Sequence, residues 1–366
     1  MRVLVMTNHF AELAGSEIVA SEVALWFLER GDRVALAANL IRAPMSGLAS
    51  QLELLTDMSA IELSRFDLVW CQHGLLSLLP LSALKAASDS LPLIALASLS
   101  PFEPYEHLDG AFANALSATI FANSPETADE IVRRNQGLIR EDRVQVFHNA
   151  APPQFWRPPL SRARQLKSVT VVSNHVAAEL RAACRRFEAL GIAVRCIGLH
   201  DEYLRVDADA VDASDALISI GKSVVYAIAR QRPVYMYDLY GGDGWLTRDN
   251  FERNLTHNFS GRPLRRQLEA DALAVEVVEG FGQAIEEIEQ LGAAHSLERF
   301  HLATYLEALR AQALRPALWR GLTLRRSLAS PTFCAHLELA RQNALVMRRS
   351  YLASKARSNG NHQPKG

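Results

Sequence analysis

Two stretches of the chain carry one pattern, a short apolar run, a polar loop, and then apolar residues at helical spacing. The first starts at residues 3–7, passes through a loop at 8–15 and continues in Ile18, Val19, Val23, Ala24, Phe27 and Leu28. These positions share one face of a helix that Ser16 can cap and that runs to about Arg30. Gly31 ends the helix, and residues 33–38 read as the next strand. A strand, helix and strand of this length imply a parallel sheet. Further strands are predicted at 68–71, 93–97, 118–122 and 144–147.

The pattern begins again at residues 168–172, with a loop at 173–175, a helix to about Leu190 and a strand at 193–197. Residues 216–220 and 234–237 read as strands with a helix at 222–230 between them. Pro158, Pro159 and a basic, polar stretch precede this second start and read as a linker. The fold class is therefore α/β with two Rossmann-like parallel-sheet domains and a helical C-terminal region. The boundaries are 1–155, 166–300, helices over 301–353, and a polar tail over 354–366 expected to be disordered.

Composition narrows the function classes. The formal net charge of −1 gives no nucleic-acid signature. The charge is uneven, since from Arg310 onward eleven basic residues stand against the single acid Glu338. Such an end suits an anionic surface, and Trp319 among the arginines suits contact with anionic lipid headgroups. The other reading has these helices packing back on the first domain with their arginines in solvent. Cys71, Cys184, Cys196 and Cys334 form no CxxC pair and read as reduced thiols of a cytoplasmic protein. No histidine pair has metal-ligand spacing, so no metal site is expected, and Asp207 and Asp209 sit in an acid-rich connector.

Candidate chemistry gathers at predicted strand ends, where open α/β sheets bind ligands. Gly221, Lys222 and Ser223 open a helix directly after a strand, an arrangement that suits phosphate. Gly241, Gly242 and Gly244 read as a loop able to bind an anion, with Asp238 and Asp243 as acceptors for sugar hydroxyls. His73 falls just past a strand end, where it can act as a base or donor. His9 and His175 hold comparable places in the first loop of each domain. The first strand is followed by residues 8–15 without GxGxxG, which disfavours a nicotinamide oxidoreductase.

Several segments together resemble the GT-B glycosyltransferases, in particular the family 4-like group containing bacterial polysaccharide and lipopolysaccharide enzymes. They are Ala14 to Glu17 with Arg30 to Val34, Phe121 to Glu126, Val144 to Ala150 with Phe155 and Pro158, and Gly221 to Ala229 followed by Arg232, Pro233 and Val234. The resemblance spans roughly residues 1–262. It implies two domains facing across a cleft, the first binding a saccharide or lipid-linked acceptor and the second a nucleotide-diphosphate sugar as co-substrate. It also implies transfer without a metal or other cofactor. His73 and Lys222 are the catalytic candidates, with Lys222 on the leaving phosphate. Gly15, Asn174, Gly221, Ser223, Tyr226, Asp238 and the 241–244 segment are the donor-binding candidates; His9, Ser16 and Glu17 are the acceptor candidates. Tyr226 stands where the group commonly has a glutamate, Ile218 where retaining members have a second acid, and Asn174 and His175 replace the usual basic pair. A catalytically silent GT-B binding protein is the alternative, and a sugar-nucleotide epimerase shares the fold.

Overall fold

The computed structural model describes residues 1–360 apart from 104–105, 107–109, 117, 137, 159–163 and 316–317. Its first unit runs β1 (Arg2–Phe10), α1 (Gly15–Leu28), β2 (Arg33–Ile41), α2 (Ser46–Ala49), β3 (Glu53–Leu55), β4 (Leu68–Gln72), α3 (Leu81–Ala87), β5 (Leu93–Ser98), α4 (Gly110–Ala113), β6 (Thr119–Ala122), α5 (Pro125–Arg134) and β7 (Val144–Val146). The strands form a parallel sheet in the order β3-β2-β1-β4-β5-β6-β7. Central strands β1, β4 and β5 are buried on both faces, which is why they read as continuous apolar runs rather than alternating ones.

The second unit runs β8 (Ser168–Val172), α6 (Ala178–Ala189), β9 (Ala193–Ile197), α7 (Ala208–Asp212), β10 (Ala216–Ser219), α8 (Lys222–Ala229), β11 (Val234–Asp238), β12 (Gly241–Trp245), α9 (Arg248–Thr256) and α10 (Ala270–Ala294). Its sheet has the order β12-β11-β10-β8-β9, parallel except for β12. This is the two-domain architecture that the family resemblance implies.

The glycine segment 241–244 departs from its expected form. It is not an open loop but edge strand β12, antiparallel to β11 and buried throughout. Its backbone also bonds with Arg266, Gly242 N–H to Arg266 O at 3.0 Å and Arg266 N–H to Gly242 O at 3.1 Å. Glycine is required because a Cβ on Gly242 would stand 1.8 Å from the Met236 carbonyl oxygen. The glycines therefore admit neighbouring backbone, not an anion.

The remaining helices α11 (Leu302–Ala313), α12 (Leu318–Leu328) and α13 (Pro331–Gly360) return to the first unit. Leu302, Leu306 and Leu309 join Trp26 and Phe27 on one face of its sheet. Leu324, Leu337 and Ala344 pack on the other. Helix α13 continues to Gly360, into the stretch expected as a tail; residues 361–366 lie outside the described residues, as do 159–163 of the expected linker. No helix among the described residues is long and apolar enough to cross a membrane.

The chain crosses between the units twice, and the crossings touch. Ala151 N–H donates to Phe300 O at 2.7 Å, Leu302 N–H donates to Ala151 O at 3.0 Å, and the rings of Trp156 and His301 stack 3.8 Å apart. Arg230, fully buried, donates to the carbonyls of Phe155 and Pro158 and pairs with Asp212 at 2.8 Å. Helix α1 lies between the two sheets, and its Ile18 belongs to the core of the second unit.

Candidate active site

The C-terminal ends of the two sheets enclose a cleft of about 500 Å³. Its walls are the segments at the ends of β1, β4, β5 and β7 on one side and of β8, β9, β10 and β11 on the other. Two helices start at this cleft from opposite units. Helix α1 opens at Gly15 behind Ala14, whose backbone is extended, and α8 opens at Lys222 behind Gly221. Gly221 has φ 62° and ψ −130°, a conformation that side chains disfavour. No side chain caps either start, so each presents first-turn N–H groups and the positive end of its dipole to one space.

Ser16 is thus not the cap of α1. It is the second helical residue, and its hydroxyl donates to Glu17 at 2.9 Å. Gly15 and Ser16 line the cleft, whereas the Glu17 side chain is buried beside it. Ser223 and Gly221 line the opposite wall.

Lys222 is placed at the cleft, but its ammonium is engaged elsewhere. Nζ lies 2.8 Å from Glu22 Oε2 and donates to the carbonyls of Asn149 and Ala150, each at 3.0 Å. Two of its three protons go to those carbonyls, and the Glu22 carboxylate pairs with its charge. Burial pulls the lysine below its ordinary pKa, and Glu22 opposes that shift. Tyr226 stacks on Phe155 at 4.0 Å and donates its hydroxyl to the same Glu22. Burial and the Glu22 charge push the Tyr226 phenol well up. The Lys222, Tyr226 and Glu22 group is an interdomain joint at the cleft, and there the ammonium expected on a leaving phosphate is held by protein partners.

Asn174 bridges the lips of the cleft, accepting from Leu199 N–H at 3.1 Å and donating to Leu13 O at 3.5 Å. Tyr203 does likewise, its hydroxyl accepting from Leu13 N–H at 2.9 Å. Asp238 lines the cleft and accepts from the Ser173 hydroxyl at 2.7 Å; burial raises its pKa. Gly241, Gly242, Asp243 and Gly244 do not line it. Asp243 is buried under α9, where it pairs with Arg253 at 2.9 Å and accepts from Asn254.

His73 does reach the cleft. It sits at φ 60° past the end of β4, and its Nδ1 accepts from Asn8 N–H at 3.1 Å. A ring nitrogen that accepts carries no proton, so neutral His73 bears its proton on Nε2. That atom lies 3.8 Å from Glu106 Oε1. Burial, aided by His9, lowers the His73 pKa to about 3, while burial raises that of Glu106 to about 8. His9 is not on the cleft wall. It stacks on Tyr351 of α13 at 4.7 Å, with Nε2 3.1 Å from the Tyr351 hydroxyl.

Sequence reasoning missed three residues of this site. Glu22 could have been noticed as an acid on the apolar face of α1. Glu106 lies in an aperiodic, proline-containing segment, and Arg205 in the acid-rich connector, where neither pattern nor spacing marks them. Arg205 lines the cleft close enough to Lys222 and Tyr226 to act on both through its charge. No carboxylate among the described residues is paired with it. In the same connector Asp207 caps α7 and Asp209 pairs with Arg157. Among the described residues no group of three or more His, Cys, Asp or Glu is placed to hold a metal ion.

No family model matches the chain, and no curated protein matches it. Among solved structures it is similar to the lipopolysaccharide outer core galactosyltransferase WaaB in its apo form, at 14% identity over 86% of this chain and 99% of that one, with a TM-score of 0.48. It is similar to the glycosyltransferase of kitacinnamycin at 12% identity, over 85% and 99% of the two chains, TM-score 0.48. Similarity to UGT89C1 of Arabidopsis thaliana is at 13% identity, over 86% and 99%, TM-score 0.48.

Proposed function

We propose that this chain is a glycosyltransferase that moves a sugar from a nucleoside-diphosphate sugar to a saccharide or lipid-linked acceptor. The observation that carries this reading is the pair of uncapped helix starts, Gly15–Ser16 and Gly221–Ser223, which face one cleft from opposite domains. Two sets of backbone N–H groups and two dipole ends suit a doubly charged diphosphate. Arg205 adds the full positive charge that Lys222 does not supply, and it would neutralise the charge that grows on the leaving phosphate without a metal. Asp238 is placed to accept from donor hydroxyls, and the first-domain wall at His73 is left for the acceptor.

For a lipid-linked acceptor the C-terminal helices offer a fitting surface. Trp319 and Leu322 are exposed on α12, beside Arg326 and beside Arg325, itself paired with Asp89.

A nucleotide-binding protein without transfer is the second reading. It is favoured by Tyr226, which lines the cleft in place of the expected glutamate, its ring stacked on Phe155 and its hydroxyl donated to Glu22.

The test is calorimetric titration with UDP, GDP, dTDP and ADP, with NAD as control, on wild type and Arg205→Ala. At least one nucleoside diphosphate binds wild type, and the variant weakens it about 10- to 100-fold, the range of a lost charge-assisted contact. Binding with no sugar transfer from any matching donor selects the second reading. No binding of any of the four removes both.

A further inference from the structure

Resting on the glycosyltransferase reading, we infer that Glu106 is the catalytic base that deprotonates the acceptor hydroxyl, with His73 orienting that hydroxyl through Nε2–H, so that transfer inverts the anomeric centre. Four observations converge on the pair. Glu106 is buried yet lines the cleft. Its Oε2 has no hydrogen-bond partner among the described residues, while Oε1 faces His73 Nε2 at 3.8 Å. The Ser98 hydroxyl donates to the Glu106 carbonyl at 3.0 Å and fixes the backbone of that residue. His73 Nδ1 is already an acceptor for Asn8 N–H, which commits the ring to donate from Nε2.

The choice of carboxylate over imidazole follows from charge. A histidine base ends as a cation, which this buried wall and the neighbouring His9 ring, 5.9 Å away, both oppose. A carboxylate base ends neutral, which the same burial favours. In the step, the acceptor O–H proton passes to Glu106. The oxygen lone pair forms the new bond to the anomeric carbon as the bond from that carbon to the phosphate oxygen breaks. The electrons of the broken bond leave on the nucleoside diphosphate, between the two helix starts and Arg205. A single displacement at carbon of this kind inverts configuration, and Glu106 returns its proton to solvent.

Titration adds a signature. Glu106 loses its proton at about pH 8, so the rate rises about tenfold per pH unit below 8 and levels above it. The groups facing Glu106 are His73 and Glu103, with His9 behind the first and Asp238 on the far wall of the cleft. His73 stays neutral across that range, since burial lowers it to about 3.

The experiment compares wild type, Glu106→Gln and Glu106→Asp. Nucleoside-diphosphate affinity is measured first, then transfer from UDP-, GDP- and dTDP-sugars to octyl β-glucoside between pH 6 and 9.5. Glu106→Gln keeps nucleotide affinity within about twofold, loses turnover by about 100- to 10,000-fold and loses the pH slope. Glu106→Asp recovers part of the rate with the slope. Proton NMR of the wild-type product shows the inverted anomer. Unchanged turnover in Glu106→Gln, or retained configuration, overturns the inference and leaves the glycosyltransferase reading standing. Nucleotide binding without product from any donor overturns the base and selects the binding-protein reading, and no nucleotide binding at all overturns the site itself.

Discussion

Replacing Lys222 by methionine separates a chemical role from a structural one. In the folded protein the ammonium pairs with the Glu22 carboxylate and donates to the Asn149 and Ala150 carbonyls, with the lysine and glutamate side chains only 8% and 1% exposed. Methionine retains most of the volume and removes the charge, which leaves Glu22 buried with the Tyr226 hydroxyl as its remaining hydrogen bond in this joint. Breaking one side of a buried ion pair costs about 3–5 kcal/mol, because the surviving charge stays desolvated. For a domain of this size that corresponds to a fall in Tm of about 6–20 °C, read by differential scanning calorimetry. The double variant Glu22→Gln, Lys222→Met removes both charges and regains most of the loss, so the cycle yields a coupling of several kcal/mol. A Tm within about 2 °C of wild type, together with a large fall in turnover, would refute this reasoning and return Lys222 to the leaving phosphate.

Gly242→Val places a side chain against the Met236 carbonyl, where a Cβ would already stand at 1.8 Å. Even Gly242→Ala therefore unfolds the β11–β12 edge, seen as loss of soluble protein or of hydrogen-exchange protection in β12, and normal folding with only donor binding lost would contradict the placement. Asp212 meets Arg157, Arg230 and Arg232; burial would raise its pKa, but these arginines hold it below the usual range. A depressed carboxylate contributes stability that is present above its unfolded pKa of about 3.9 and lost as pH falls through the folded value. Asp212→Asn should accordingly lower the Tm at pH 7 and flatten its acid limb below about pH 4. A variant that keeps the wild-type acid limb would count against the assignment.

The tandem architecture was legible because parallel strands buried on both faces leave unbroken apolar runs, and β8 and β9 occupy the predicted residues. The Gly221 turn was legible for a similar reason, as the chemistry of a strand-to-helix start is local. Gly241–Trp245 was not. Three glycines in four residues signal a loop by propensity, and only the close approach of Arg266 and Met236 makes them a strand. Nor could the fate of Lys222 be read, since Glu22 lies 200 positions earlier and meets it only once two domains are docked. Glu106 and Arg205 escaped notice for want of periodicity, their roles being set by burial and by the opposite wall.

The doubled crossing at Ala151 and His301 has a mechanical meaning. Two separate tethers would hold the halves as two bolts hold a plate, but two segments bonded side by side behave as one hinge pin. Any opening of the cleft would turn about that junction and would have to break the contacts that cross between the units. They are Leu13 with Tyr203, Glu126 with Arg262, and Glu22 with Lys222. Each of them ties the two units at a different point along the cleft.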